Sequence, residues 1–124
     1  MKAGILLFAH GARDPRWAEP FEAVAAQLRA LRPQSPVRLA FLEFMAPTLG
    51  EAGQALVLEG CARIDVLPLF LGAGGHVRKD VPQLLAALQA AHPAVAFALQ
   101  PAIGEHPQVI AAMAAAAASL TQRP

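Results

Sequence analysis

The stretch 65-DVLPLFLGAGGHVRKDVP-82 decides how the rest of the chain is read. It opens with Val66, Leu67, Leu69, Phe70 and Leu71 in near-continuous succession, then breaks into Gly72-Ala73-Gly74-Gly75. It delivers His76, passes Arg78-Lys79-Asp80 and enters a helical pattern carried by Leu84, Leu85, Leu88 and Ala91. A continuous apolar run of this length suits a strand covered on both faces, expected here over residues 63–71. Asp80 is the expected N-cap of the helix that follows. Pro68 interrupts the strand, because proline lacks a ladder donor and belongs at an edge or a bulge.

The same strand-to-helix alternation recurs on either side. Residues 3–9 form a second continuous apolar run that ends in His10-Gly11-Ala12-Arg13-Asp14-Pro15. Trp17, Phe21, Val24, Leu28 and Leu31 then recur at helical spacing. Pro20 conflicts with a regular helix from Asp14, so the helix either begins near Glu19 or kinks there. Residues 37–44 are the next strand, with Glu43 at its end, and Pro47 opens a helix using Leu49, Ala52 and Leu56. Residues 94–99 form a weaker fourth strand. Near Pro107 a last helix begins, with Val109, Ile110, Met113, Ala117 and Leu120 as its apolar face.

Four strand–helix alternations with crossovers of this length imply parallel strands joined right-handedly. The expected fold is α/β, a three-layer αβα sandwich around a four-stranded parallel sheet. At 124 residues the chain fits a single domain over 1–124. That length buries roughly two-thirds of the unfolded surface without disulfides or a structural metal. The lone Cys61 points to a reducing compartment, and the cytoplasm is the expected location. A net charge of +1, from 10 basic and 9 acidic residues, gives no electrostatic case for nucleic acid or an acidic membrane. No apolar run approaches the ~20 residues of a spanning helix.

In a parallel sheet the strand C-termini share one edge, and ligands bind there. His10, Glu43, the loop 72–76 and the loop 101–106 all fall on that rim. Two imidazoles and a carboxylate make a natural set for a divalent first-row metal. Taken singly, each has a plainer reading: a loop histidine bonding backbone, or a solvated strand-end acid. His92 reads as a surface stop beside Pro93, His106 as a helix cap and Cys61 as a small buried hydrophobe. Arg13, Arg16, Arg78 and Lys79 are ordinary solvated charges, yet they follow the two histidines closely and would suit an anionic substrate. The glycine run lacks the GxxxxGK[ST] pattern of a phosphate loop and instead lets backbone approach a flat ligand.

LLFAHGARDPR at residues 6–16, FLE at 41–43 followed by Pro47, and VLPLFLGAGGHVRKDVP at 66–82 together resemble the short CbiX-type sirohydrochlorin chelatases, of the class II tetrapyrrole chelatase family. Pro68 belongs to that pattern, which sets aside the edge-strand reading. The resemblance implies a chelatase-like domain equal to one half-unit of longer members, paired as a homodimer with clefts near or across the interface. It implies insertion of a divalent metal (Co2+, Fe2+ or Ni2+) into an anionic, sirohydrochlorin-like tetrapyrrole, in cobalamin or siroheme biosynthesis, with no organic cofactor. His10 and His76 would then bind metal and act in insertion, helped by Glu43. Arg13, Gly74, Gly75, Arg78 and Lys79 would meet the macrocycle. Two other classes use the same rim: a non-catalytic metal or tetrapyrrole carrier, and a histidine-dependent phosphoryl-transfer enzyme, whose RHG-like motif would need an arginine where Ala9 stands.

Overall fold

A computed structural model describes residues 2–72 and 74–123, with the side chain of His76 outside the description. Four strands, β1 (Lys2–Ala9), β2 (Val37–Phe41), β3 (Cys61–Pro68) and β4 (Ala96–Leu99), form one parallel sheet in the order β2-β1-β3-β4. The helices are α1 (Glu19–Leu31), α2 (Leu49–Leu58), α3 (Gly75–Ala91) and α4 (Pro107–Leu120). Among the described residues no helix is long and apolar enough to cross a membrane.

β1 is one of the two inner strands, and its unbroken apolar run is buried on both faces. Leu6 and Phe8 join Ile64, Val66, Leu56 and Leu88 beneath α2 and α3. Leu7 points the other way, into a cluster with Ala25, Val37 and Leu69 beneath α1. Burial of this kind contributes about 1.5–3 kcal/mol for each large side chain, and the strand is anchored accordingly. Gly53 lets α2 and α3 close on each other, since a Cβ there would stand 2.7 Å from a Leu88 methyl.

Several element boundaries differ from expectation, each for a local reason. Asp14 caps a 3₁₀ turn over Pro15–Ala18 and not the α-helix, which takes the Glu19 start, one of the two expected, with Pro20 in its first turn. There the missing N–H has no intrahelical partner to lose. Helix α2 starts at Leu49, and Thr48, rather than Pro47, stands at its N-terminus as the cap. Its Oγ1 accepts from the Glu51 N–H at 3.2 Å, and Glu51 Oε1 accepts from the Thr48 N–H at 2.9 Å. Replacing Thr48 with alanine breaks this capping box and is expected to lower stability by about 1 kcal/mol, read from the denaturant midpoint.

Helix α3 begins at Gly75, so Asp80 is not its N-cap but lies in its second turn; extended Gly74 takes the cap position. Glycines 74 and 75 thus join a helix start where a loop was expected, and Pro82 lies inside the helix. β3 runs from Cys61 to Pro68 instead of 63–71. Pro68 costs the sheet nothing. The Leu69 N–H faces β1, donating to the Phe8 carbonyl at 2.8 Å, so the alternate Pro68 nitrogen faces the β4 side. There pairing has already ended at Val66 with Leu99.

The last helix is the largest departure. Val109 is half-buried, while Ile110, Met113 and Leu120 are exposed, as is Ala117. The apolar face read from the periodicity has no residue buried within this chain.

Candidate functional site

The C-terminal ends of β1 and β2 are tied together before any side chain is considered. The Leu42 N–H donates to the Ala9 carbonyl at 2.9 Å, and the Glu43 N–H donates to the His10 carbonyl at 3.1 Å. Gly11 makes this approach possible. Its φ is +97°, and a Cβ at this position would collide with the Glu43 carbonyl oxygen. β2 ends at Phe41, three residues earlier than expected, so Glu43 sits in the turn beyond the strand and not on it. That turn carries its side chain back toward β1.

The result is a pair. His10 Nε2 lies 3.3 Å from Glu43 Oε1, with the two side chains 48% and 49% exposed. The imidazole meets the Phe70 ring edge-on, with centroids 5.8 Å apart. Two ligands held at ~2.1 Å from one first-row ion, at right-angled to tetrahedral openings, stand about 3.0–3.4 Å apart. The observed separation therefore fits either a hydrogen-bonded pair or two donors to a common ion. Half exposure leaves the remaining positions open to water or a ligand. Among the described residues no group of three His, Cys, Asp or Glu side chains gathers here or elsewhere.

The pair borders a cleft of about 540 Å³ lined by His10, Trp17, Phe21, Leu69, Phe70, Leu71, Gly72, Gly74 and Val77. Its floor is apolar and aromatic, with Trp17 and Phe21 packed at a 4.5 Å centroid distance. Gly72, Gly74 and Gly75 each look onto open space, where a Cβ would meet nothing within 4 Å. Packing within the chain does not require glycine at these positions. The exit from β3 is fixed by the loop after β4: the Gly104 N–H donates to the Phe70 carbonyl at 3.0 Å, and Gly104 abuts Leu71 too closely for any side chain.

The other expected site residues are distributed unevenly. His76 lies in the first turn of α3, on the same edge, but its side chain is outside the described residues. Arg13 places its guanidinium 4.6 Å from the centroid of the Phe44 ring. Arg78 is exposed and lines a smaller apolar cleft of about 180 Å³ with Pro68, Val77, Val81 and Leu99. Lys79 is exposed on the first turns of α3. Arg16 is not offered to a ligand, because its Nη2 donates to Asp14 Oδ2 at 2.8 Å. That side-chain bond, with a second from the Arg16 backbone N–H, holds the Asp14 carboxyl below its ordinary range and raises the guanidinium.

The plainer readings of the remaining residues fit what is seen. His106 Nδ1 accepts from the Gln108 N–H at 3.1 Å and caps α4. His92 caps the C-terminus of α3. Cys61 is buried, and desolvation pushes its thiol up. Phe44 and Phe70 are the aromatics that sequence reasoning did not place at the rim. Adjacency to Glu43 was the available signal for the first.

Comparison with known proteins points one way. The family model described as CbiX matches residues 4–120. A sirohydrochlorin cobaltochelatase of Saccharolobus solfataricus is 40% identical over 82 residues, which are 66% of this chain and 62% of that protein. The chain thus spans less than two-thirds of that relative. A CbiX protein from Marinobacter aquaeolei VT8 superposes with a TM-score of 0.86 at 32% identity, over 97% of this chain and 95% of the other. The sirohydrochlorin chelatase SirB from Bacillus subtilis subspecies spizizenii, in complex with cobalt, superposes with a TM-score of 0.85 at 26% identity, covering 97% of this chain but 51% of SirB. With the family model matching residues 4–120 and the whole fold superposing on a CbiX protein, the chain belongs to the CbiX family.

Proposed function

We propose that the chain is a sirohydrochlorin chelatase, a lyase-type enzyme that inserts a divalent metal into the macrocycle and releases two protons. The observation that carries this reading is the His10–Glu43 pair, 3.3 Å apart and half-exposed above an aromatic-floored cleft. Family membership supports it, and so do the names of the relatives. The metal is a substrate and must leave the protein, so a few open donors serve better than a closed cage. Cobalt and iron are the first candidates, since one relative is named a cobaltochelatase and SirB is described with cobalt and with Fe3+. Nickel uses the same donors.

In this mechanism the neutral His10 imidazole and the Glu43 carboxylate hold the partly hydrated ion at the rim, with His76 as the proposed further ligand. The macrocycle lies over the glycine-lined side of the cleft, where Gly72, Gly74 and Gly75 let backbone come close. As ring nitrogens replace the protein donors, Glu43 and the His10 imidazole are released from the ion, and each accepts one of the two pyrrole protons and passes it to solvent. Arg13, Arg78 and Lys79 meet the peripheral carboxylates as charge-assisted partners. Initial rates with Co2+, Fe2+ and Ni2+, followed by the absorption change of metal-free sirohydrochlorin, test the reading. Acceleration over the spontaneous reaction for at least one metal is expected; stoichiometric binding without acceleration would identify a carrier.

We further propose that residues 1–124 are one half-unit that acts as a homodimer in the cytoplasm, with the clefts near the interface. Exposed Ile110, Met113 and Leu120 on an uncharged α4 support it. So does the thin cover over the neighbouring sheet, where Ala96 is exposed and Leu67 opens onto a groove beside Pro107. Light scattering at tens of micromolar is expected to give twice the chain mass. Paired replacement of Ile110 and Met113 by glutamate is expected to give the monomer. A monomeric unaltered chain would contradict the assembly.

A further inference from the structure

Beside the His10–Glu43 pair the backbone adopts a conformation that core packing does not explain. Phe44, the residue after Glu43, has φ of 65°. This is the left-handed region, a true outlier for a bulky residue and the kind of strain that gathers at functional sites. The ring is not driven there by burial, since Phe44 is 56% exposed. The turn is held from several sides: the Met45 N–H donates to the Glu43 carbonyl at 2.8 Å, and the Phe41 N–H donates to the Pro47 carbonyl at 2.9 Å. On the inner side the Glu43 carbonyl is seated against Gly11. Arg13, from the other rim loop, stands over the ring at 4.6 Å.

We propose that Phe44 is a substrate-positioning residue. With Arg13 it forms a shelf that takes the flat face of a conjugated, carboxylate-bearing macrocycle and presents that face to the metal-holding pair. An aromatic face stacks on any extended π-system, and the guanidinium adds a charge-assisted bond to a peripheral carboxylate. The strained backbone has a use in this arrangement, because it keeps a hydrophobic ring outward and one residue from the carboxylate of the pair. The proposal rests on the chelatase reading and adds to it the residue that orients the ring.

Titrating metal-free sirohydrochlorin into the full chain, with no metal present, isolates this step. Phe44→Gly is expected to raise Kd about tenfold, the scale of one lost aromatic face, with a similar rise in KM and a smaller change in kcat. Its thermal midpoint should hold or rise, because glycine takes a positive φ without strain. Phe44→Tyr should restore Kd to within about twofold of the unaltered chain. An unchanged Kd in Phe44→Gly, or lost binding that tyrosine does not restore, overturns the shelf while leaving the chelatase reading in place. No binding by the unaltered chain overturns both.

Discussion

Alanine at position 10 is expected to lower the rate of metal insertion about a hundredfold or more while leaving the fold intact. The imidazole is half-exposed, and its described contacts are the Glu43 carboxylate and the edge of Phe70. Losing such a surface contact costs roughly 0–1 kcal/mol of stability. The same substitution removes the nitrogen donor of the pair, and a positioned acid–base or ligand group typically supplies 10²–10⁴-fold. Initial rates and thermal midpoints on the same preparation separate the two effects. Glu43→Gln should fall in the same direction. Because the two side chains act as a unit, the double variant should lose little more than the worse single one. A His10→Ala protein that keeps the unaltered rate would remove His10 from the mechanism.

The second large effect is predicted at a residue with no functional group. Gly11→Ala is expected to destabilise the protein by about 2–4 kcal/mol, through a positive φ and a backbone collision together. The methyl would meet the Glu43 carbonyl oxygen, and the φ of +97° is unfavourable for any L side chain. The rim loops would have to separate, breaking the Glu43 N–H bond to the His10 carbonyl. Metal insertion should therefore fall together with the denaturant midpoint, unlike the His10 variant, which changes rate alone. A Gly11→Ala protein with normal stability and rate would mean that this contact does not set the geometry of the pair.

The contrast between these residues shows what the sequence made legible. Burial on both faces of β1 followed from an unbroken apolar run, and the parallel order followed from helices between strands. Placing His10 and Glu43 on one rim needed only the rule that strand ends share an edge. What could not be read was the turn after β2. A strand extended to Phe44 would have hidden the left-handed Phe44 and its stack with Arg13, because nothing in single-sequence propensity favours φ of 65° for phenylalanine. The start of α3 escaped for the opposite reason. Glycines normally interrupt helices, yet Gly74 and Gly75 supply an N-cap and first turn. The apolar face of α4 was legible as a pattern, but periodicity does not say whether its partner lies in the same chain.

Cys61 and the charged residues mark the same boundary. Composition predicted a small buried thiol, and burial beside Gly4 explains its raised pKa. Proximity in sequence suggested a substrate role for Arg13 and Arg16 alike, and only geometry separates them. Arg16 is bound back onto Asp14, while Arg13 faces the rim over Phe44.

Whether the rim formed by His10 and Glu43 catalyses metal insertion is decided most simply by counting turnovers. Metal-free sirohydrochlorin and Co2+ are supplied in about fiftyfold excess over protein, and the absorption of the metallated product is followed beside a protein-free control. Many products per chain, at a rate well above the control and largely lost in His10→Ala, is the expected result. A single product or fewer per chain, or a rate that does not depend on His10, would contradict the account.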